Sequence, residues 1–218
     1  MFKKIIAIGC LAFLMLPLLA TAQQQYQAGQ NYVVLDTPVR TRDKNKIEVV
    51  EVFWYGCGHC YKFEPMVTQW KKSLAADVDF WQSPAIWRPV MSLHAQAFYT
   101  AQALGVADKM QEPLFITLAV ENKPLTTESQ VADLFAKYGV DREAFSKAFN
   151  SFGVKSQVKQ ADARQRSYGI SGTPELVVNG KYRVSARLPN EGSQSQAEML
   201  KVVDYLIAVE RAAMPAAK

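Results

Sequence analysis

The spacing of apolar residues changes character along this chain. Tyr32 to Leu35 alternates weakly and predicts a short edge strand. Ile47 to Trp54 (IEVVEVFW) is a β-branched and aromatic run that predicts a central strand. Gly56 breaks it. A helix is expected to open at Cys57 and run through Trp70 to about Ala75, kinked by Pro65. Val78 to Gln82 predicts the next strand, which completes a βαβ unit. From about Met91 to Ser167 the spacing turns helical: Leu93, Ala97, Phe98, Ala101, Leu104; then Val131, Leu134, Phe135, Tyr138; then Phe145, Ala148, Phe149, Phe152. Gly105, Gly139 and Gly153 are expected as stops, and Thr126 or Asp141 as starts. The β pattern returns at Glu175–Val178 and Lys181–Val184. Asn179-Gly180 between them signals a type I′ hairpin turn. A last amphipathic helix is expected from about Ser193 to Arg211, with Met199, Leu200, Val203, Leu206 and Ile207 on one face. The order implies an α/β domain, residues 23–87 and 164–218, split by an all-helical insertion, residues 88–163.

The N-terminal residues change the meaning of the cysteines. Lys3 and Lys4 precede an apolar run from Ile5 to Ala20, and Ala20-Thr21-Ala22 offers a small-x-small cleavage site. Residues 1–22 therefore fit an export signal cut after Ala22. An uncleaved anchor competes, but the run of about 16 residues is shorter than the ~20 a spanning helix needs. Lipoprotein processing at Cys10 would leave too short an apolar region before it. Export removes Cys10 and leaves Cys57 and Cys60 as the only cysteines of the mature chain. The formal charge of +5 falls to +3 without Lys3 and Lys4, and no Lys/Arg block marks a nucleic-acid partner. The arm before Tyr32 is Gln-rich.

The candidate chemistry lies in Phe53–Pro65, FWYGCGHCYKFEP. A disulfide across two intervening residues closes almost no loop and is a poor staple, and a chain of this length buries a core without one. Cys57 and Cys60 could supply two of zinc's usual four ligands, but the only histidines are His59 and His94. Covalent haem wants histidine straight after the second cysteine; Tyr61 stands there. Redox chemistry fits best. A helix starting at Cys57 aims free N–H groups and its positive dipole end at that sulfur, and His59 adds a cation when protonated. Cys57 is then the exposed nucleophile and Cys60, one turn deeper, the resolving thiol. A stabilised Cys57 thiolate favours the reduced form, so the disulfide oxidises more strongly, by ~30 mV per 1.4 kcal/mol.

Other positions bear on that reading. Gly172-Thr173-Pro174 is either a proline ending a loop or a cis-proline beside the disulfide, offering the Thr173 backbone to an extended peptide. Glu51 shares a strand face with Val49 and Phe53. It is either solvated on a partly exposed face or an acid of raised pKa that takes the proton from Cys60; the residues alone leave these level. Glu64 is expected on the helix surface, and His94 in a structural role.

Together the EVVEVFWYGCGHCYKFEP block, the helical insertion, NSFGVKSQV at Asn150–Val158, the Gly-Thr-Pro loop and the VVNGKYRV hairpin resemble the thioredoxin superfamily. More closely, they resemble the DsbA-type periplasmic thiol:disulfide oxidoreductases. The resemblance spans nearly the whole mature chain. It implies a thioredoxin fold with an inserted all-helical domain, without cofactor or metal. It implies a monomeric periplasmic oxidase acting on reduced exported polypeptides and reoxidised by a membrane DsbB-type quinone reductase. By it Cys57 is the nucleophile, Cys60 the resolving cysteine, Thr173-Pro174 the cis-proline loop and Glu51 the buried acid. The chain departs from the family in three places. Gly58 replaces a common proline and Thr173 a common valine, a pairing similar to that of eukaryotic protein disulfide isomerases. Gln82 stands where some relatives carry a basic partner for the buried acid. A somewhat less oxidising pair is the expectation. The alternatives are an isomerase or reductase, and a peptide-binding chaperone with an incidental cysteine pair. Only about nine residues between the expected cut and Tyr32 leave no room for the N-terminal dimerisation domain of DsbC-type isomerases.

Overall fold

The structure is a computed structural model that describes residues 26–187, 190 and 192–214. The expected export signal and its cut after Ala22 lie outside the described residues. Strands β1 (Val33–Val34), β2 (Ile47–Phe53), β3 (Val78–Pro84), β4 (Glu175–Val178) and β5 (Tyr182–Ser185) form one mixed sheet in the order β1-β5-β4-β2-β3. β2 and β3 run parallel, joined by helix α1 (Gly58–Lys71), while β4 is antiparallel to both β2 and β5. Between β3 and β4 come α2 (Pro89–Ala103), α3 (Ala107–Phe115) running into a π-helical turn (Ile116–Val120), α4 (Glu128–Lys137), α5 (Arg142–Phe149) and α6 (Phe152–Ser167). Helix α7 (Gln196–Ala213) follows the β4–β5 hairpin. The architecture is a thioredoxin fold with a helical insertion.

Every residue of β2 is buried. On one face Ile47 and Val49 pack with Phe63, Val67 and Trp70 of α1 and with Met199, Val203 and Leu206 of α7. On the other, Val50 and Val52 pack with Met91, Tyr168 and Ile170. A strand covered on both sides needs a near-continuous apolar run, which is why the sequence signal there is strong. It also means that Glu51 has no partly exposed face to sit on, and it is fully buried. The hairpin forms as expected, with φ of 50° at Asn179 and 61° at Gly180. Glycine is required there twice over, since a Cβ on Gly180 would fall 2.0 Å from the Val39 carbonyl oxygen.

Helix ends differ from expectation in instructive ways. α1 stops at Lys71, short of Ala75, and carries Pro65 inside it. Gly105 and Gly139 follow α2 and α4 with φ of 67° and 77°, the usual left-handed stop. Asp141 caps α5, but α4 is capped by Thr127, one residue past Thr126, in a capping box with Gln130. Gly153 is not a stop. Ser151 caps α6 by accepting the Val154 N–H, which puts Gly153 inside the first turn. Each such cap contributes about 1 kcal/mol. The break at Asn150–Ser151 resets the helical register, so Phe152 does not follow Phe145 and Phe149 into the core and is 88% exposed. α6 then runs unbroken past residue 163.

Candidate active site

Cys57 is the N-cap of α1, in extended conformation (φ −95°, ψ 111°). β2 delivers the chain to this point, and a turn closed by the Cys57 N–H on the Trp54 carbonyl (3.0 Å) aims the sulfur outward. The Cys60 N–H donates to Cys57 Sγ at 3.4 Å. From across the sheet, the loop before β4 brings the Thr173 carbonyl within 3.3 Å of the same sulfur, where it accepts the thiol proton. The Thr173–Pro174 peptide is cis. Both cysteines are free thiols, Cys57 half-buried and Cys60 buried.

Their surroundings drive the two thiols apart. A hydrogen bond from the Cys60 thiol is the main cause that lowers Cys57 to about 5; the Thr173 side chain and the N–H groups of Cys60 and His59 add to it, against the opposing cost of burial. Cys60 is pushed well above the ordinary thiol value by burial, and further by Cys57 and the charge of Glu51. His59 is exposed and acts on the sulfur through its backbone N–H. Its carbonyl accepts a 2.7 Å bond from Gln196 Nε2 at the start of α7. Nothing in the sequence singles out Gln196.

Behind Cys60 lies a polar network that joins several elements. Burial, then the charge of Glu64, pushes Glu51 up to about 8, and the hydrogen bond from Gln82 pulls the other way. Gln82 Nε2 donates both to Glu51 Oε2 (2.9 Å) and to Glu64 Oε2 (3.0 Å). Its Oε1 accepts from Gln111 Nε2 (3.2 Å), and Gln111 Oε1 accepts the Tyr55 hydroxyl (2.8 Å). Glu51 Oε1 has no hydrogen-bond partner among the described residues.

Glu64 is thus half-buried and engaged, not a free surface residue. Gln82, distinctive in the sequence for the positive charge it lacks, is the direct partner of the acid. The chain carries a partial signal for that, because the parallel register sets Glu51 beside Gln82, a second polar pair in the same two strands after Glu48 and Asp79. Gln111, from α3 of the insertion, has no such signature. His94 is structural: it is buried, accepts the Trp54 indole N–H on Nδ1 (3.0 Å), and faces the Leu125 carbonyl with Nε2 (3.1 Å).

A thiol of depressed pKa at the first turn of the βαβ helix, a shielded thiol one turn deeper and an X-Pro loop against the exposed sulfur define a thioredoxin-fold enzyme of thiol–disulfide exchange. Comparison with known proteins narrows the class. The model of the DSBA-like thioredoxin domain matches residues 77–201. The chain is 40% identical to thiol:disulfide interchange protein DsbA of Pseudomonas aeruginosa over 211 residues, 97% of this chain and 98% of that one. It is 43% identical to the DsbA of Azotobacter vinelandii over 185 residues, 85% of each. The crystal structure of Pseudomonas aeruginosa DsbA matches with a TM-score of 0.81 at 42% identity, covering 88% of this chain and 97% of that one. The chain belongs to the DsbA family of thiol:disulfide oxidoreductases.

Proposed function

We propose that this protein introduces disulfide bonds into exported polypeptides through a Cys57–Cys60 disulfide. A substrate thiolate attacks Cys57 Sγ; the Cys57–Cys60 bond breaks and a mixed disulfide forms. Cys60 departs with the electron pair and takes a proton. Protonated Glu51, with a pKa raised to about 8, is suited to give that proton and to take it back when Cys60 attacks in the reverse sense. A second substrate thiolate then attacks the substrate sulfur of the mixed disulfide. Cys57 leaves as a stable thiolate, so the substrate is oxidised and the enzyme is left a dithiol. Thr173-Pro174 supports a role in receiving the substrate as an extended peptide, with the Thr173 backbone beside the reacting sulfur. His59 contributes its N–H to the leaving Cys57 thiolate.

The carrying observation is the split between the two thiols, Cys57 lowered to about 5 and Cys60 raised. It makes Cys57 the better leaving group and the disulfide an oxidant. The family context supports action outside the cytoplasm, as a monomer after cleavage at Ala22, with a DsbB-type membrane quinone reductase as reoxidant. No described helix is long and apolar enough to cross a membrane. The helical insertion of residues 88–163 and the flanking thioredoxin-like segments 23–87 and 164–218 form the working division of the chain, and α6 supports extending the insertion to Ser167.

The test is a titration of the thiolate absorbance against pH, with the glutathione equilibrium measured on the same sample. A thiolate forming near pH 5 with an oxidising equilibrium is expected. An unperturbed thiol near ~8.5 with a reducing potential would make the protein a reductase instead. Cys57→Ser should abolish oxidation of a reduced model substrate while any anti-aggregation activity survives; an unaltered protein that prevents aggregation but does not oxidise the substrate would show an incidental cysteine pair on a chaperone.

A further inference from the structure

Glu175 opens β4 directly after Thr173-Pro174 and takes no part in the exchange steps above. It is 1% exposed. A carboxylate so deeply buried is expected to have its oxygens paired, and here the pairing is lopsided. Oε1 accepts the Ser171 hydroxyl at 3.2 Å. Burial pushes the Glu175 pKa above its ordinary value, and the charge of Arg183, the Ser171 hydroxyl and N–H and the Ser185 side chain pull against it. Oε2 faces Arg183 Nε at 3.7 Å, beyond hydrogen-bond reach, and neither atom has a hydrogen-bond partner among the described residues. Replacing a buried ion pair by well-packed apolar side chains usually costs nothing, so stability alone does not account for a carboxylate in this place.

What the carboxylate holds is the loop. Ser171 to Pro174 folds back over it, closely enough that a Cβ on Gly172 would lie 3.6 Å from Oε1. Midway along that loop stands Thr173. Its carbonyl meets Cys57 Sγ at 3.3 Å, and its side chain stabilises the Cys57 thiolate. The far side of the staple is rigid, because Glu175 is paired in register with Val52 of β2 and Ser185 of β5.

We propose that Glu175 is a positioning residue for the exchange reaction: its carboxylate staples the Ser171–Pro174 loop so that Thr173 stays against the Cys57 sulfur. The proposal rests on the reading of Cys57 as the low-pKa thiol. Glu175 touches no reacting atom and acts through Thr173. Without the staple the loop spends part of its time away from the sulfur, the Thr173 side chain no longer helps to hold the Cys57 pKa down, and the disulfide becomes a weaker oxidant.

Two variants test this. Glu175→Leu combined with Arg183→Met replaces the pair by apolar side chains of similar size. Ser171→Ala removes one loop-side donor at an exposed position and keeps the fold. Thiolate absorbance against pH and the glutathione equilibrium are read on each variant beside the unaltered protein, with thermal unfolding as a separate measurement. In the paired variant the Cys57 pKa should rise by about one unit, with an equilibrium constant about tenfold less oxidising. Ser171→Ala should move both in the same direction by less, and should add nothing on top of the paired variant. Folded variants whose Cys57 pKa and equilibrium match the unaltered protein overturn the proposal, whatever their unfolding temperatures. If the paired variant fails to fold, Ser171→Ala decides alone: a shift supports the staple and none overturns it. An unaltered protein whose thiolate forms near pH ~8.5 overturns the low-pKa reading itself, and the staple with it.

Discussion

The two sulfurs of this motif sit one helical turn apart in opposite surroundings. In front, Cys57 meets neighbours that favour its charge: the Cys60 thiol, the Thr173 side chain and two backbone N–H groups. Behind, Cys60 faces the aromatic and aliphatic core of the insertion, with Phe53, Tyr55 and Phe115 in the same cluster, and a buried acid whose charge opposes its own. The difference is what turns a symmetric bond into a directed reaction. A disulfide between two equal thiols breaks either way, whereas here the exposed end leaves as an anion and the buried end needs a proton. Removing the rear sulfur alone should have the largest effect. Cys60→Ser should keep the low Cys57 pKa only in part, since the Cys60 thiol is its largest support. It should also leave no intramolecular disulfide to donate, so turnover on a reduced substrate is lost. Capture of a substrate as a stable mixed disulfide, seen on a non-reducing gel when oxidised substrate is supplied, is the expected signature. Normal catalytic turnover by Cys60→Ser would mean that Cys60 is not the resolving thiol.

The acid behind Cys60 gives the next largest effect. Glu51→Leu removes the proton carrier and should slow exchange at Cys60 on the order of 10²-fold, read by stopped-flow oxidation of a dithiol peptide. The same change should stabilise the fold. A carboxyl whose pKa is raised in the folded state binds its proton more tightly there, so its contribution to stability is fully present below the unfolded value and is lost as pH rises through about 8. The stability gained by Glu51→Leu should therefore grow between pH ~4.5 and 8 and then level off. Cys57 has the opposite sign: a depressed pKa stabilises the reduced fold above the ordinary thiol value, an advantage lost as pH falls through about 5. The stability of the reduced form relative to the oxidised form should accordingly rise from pH ~5 to 9. A gain in Glu51→Leu that is flat across this range would show that Glu51 is ionised in the native state throughout.

Front and rear are unequally legible in the sequence. The front is local: a strand, a glycine break, two cysteines at helical spacing and one X-Pro loop before the next strand carry the reading of Cys57, Cys60 and Thr173. The rear is assembled by register and packing. Glu51 is visible as a charge in an apolar run, but its burial depends on helices covering both faces of β2. Gln82 meets it only because β2 and β3 pair in parallel at that step. Glu64 turns inward from α1, and Gln111 arrives from an insertion whose orientation no short-range pattern encodes. Phe152 shows the same limit from the other side, since its apolar character fits a helical period that the cap at Ser151 interrupts.

The smallest expected effect concerns Gly58, where the chain departs from the common family pattern. Gly58 is the first residue of α1 and is exposed, and a Cβ placed on it would meet nothing within 4 Å. The N–H groups that support the Cys57 thiolate come from Cys60 and His59, so a proline at 58 would remove none of them. Proline suits the first helical position. It also asks its predecessor for extended backbone, which Cys57 already has at φ −95°, ψ 111°. Gly58→Pro should therefore be accommodated without rearrangement and raise stability by about 0.4–1 kcal/mol, through a less flexible unfolded chain. Its effect on the redox pair can act only by stiffening the turn that holds Cys60 and His59 N–H groups on the sulfur. A fall of a few tenths in the Cys57 pKa, with a slightly more oxidising glutathione equilibrium, is the expected outcome. It would mark glycine as a source of the milder oxidation anticipated for Cys-Gly-His-Cys. An equilibrium that stays put while the unfolding temperature rises would move that difference to Thr173, the other departure that touches the front sulfur.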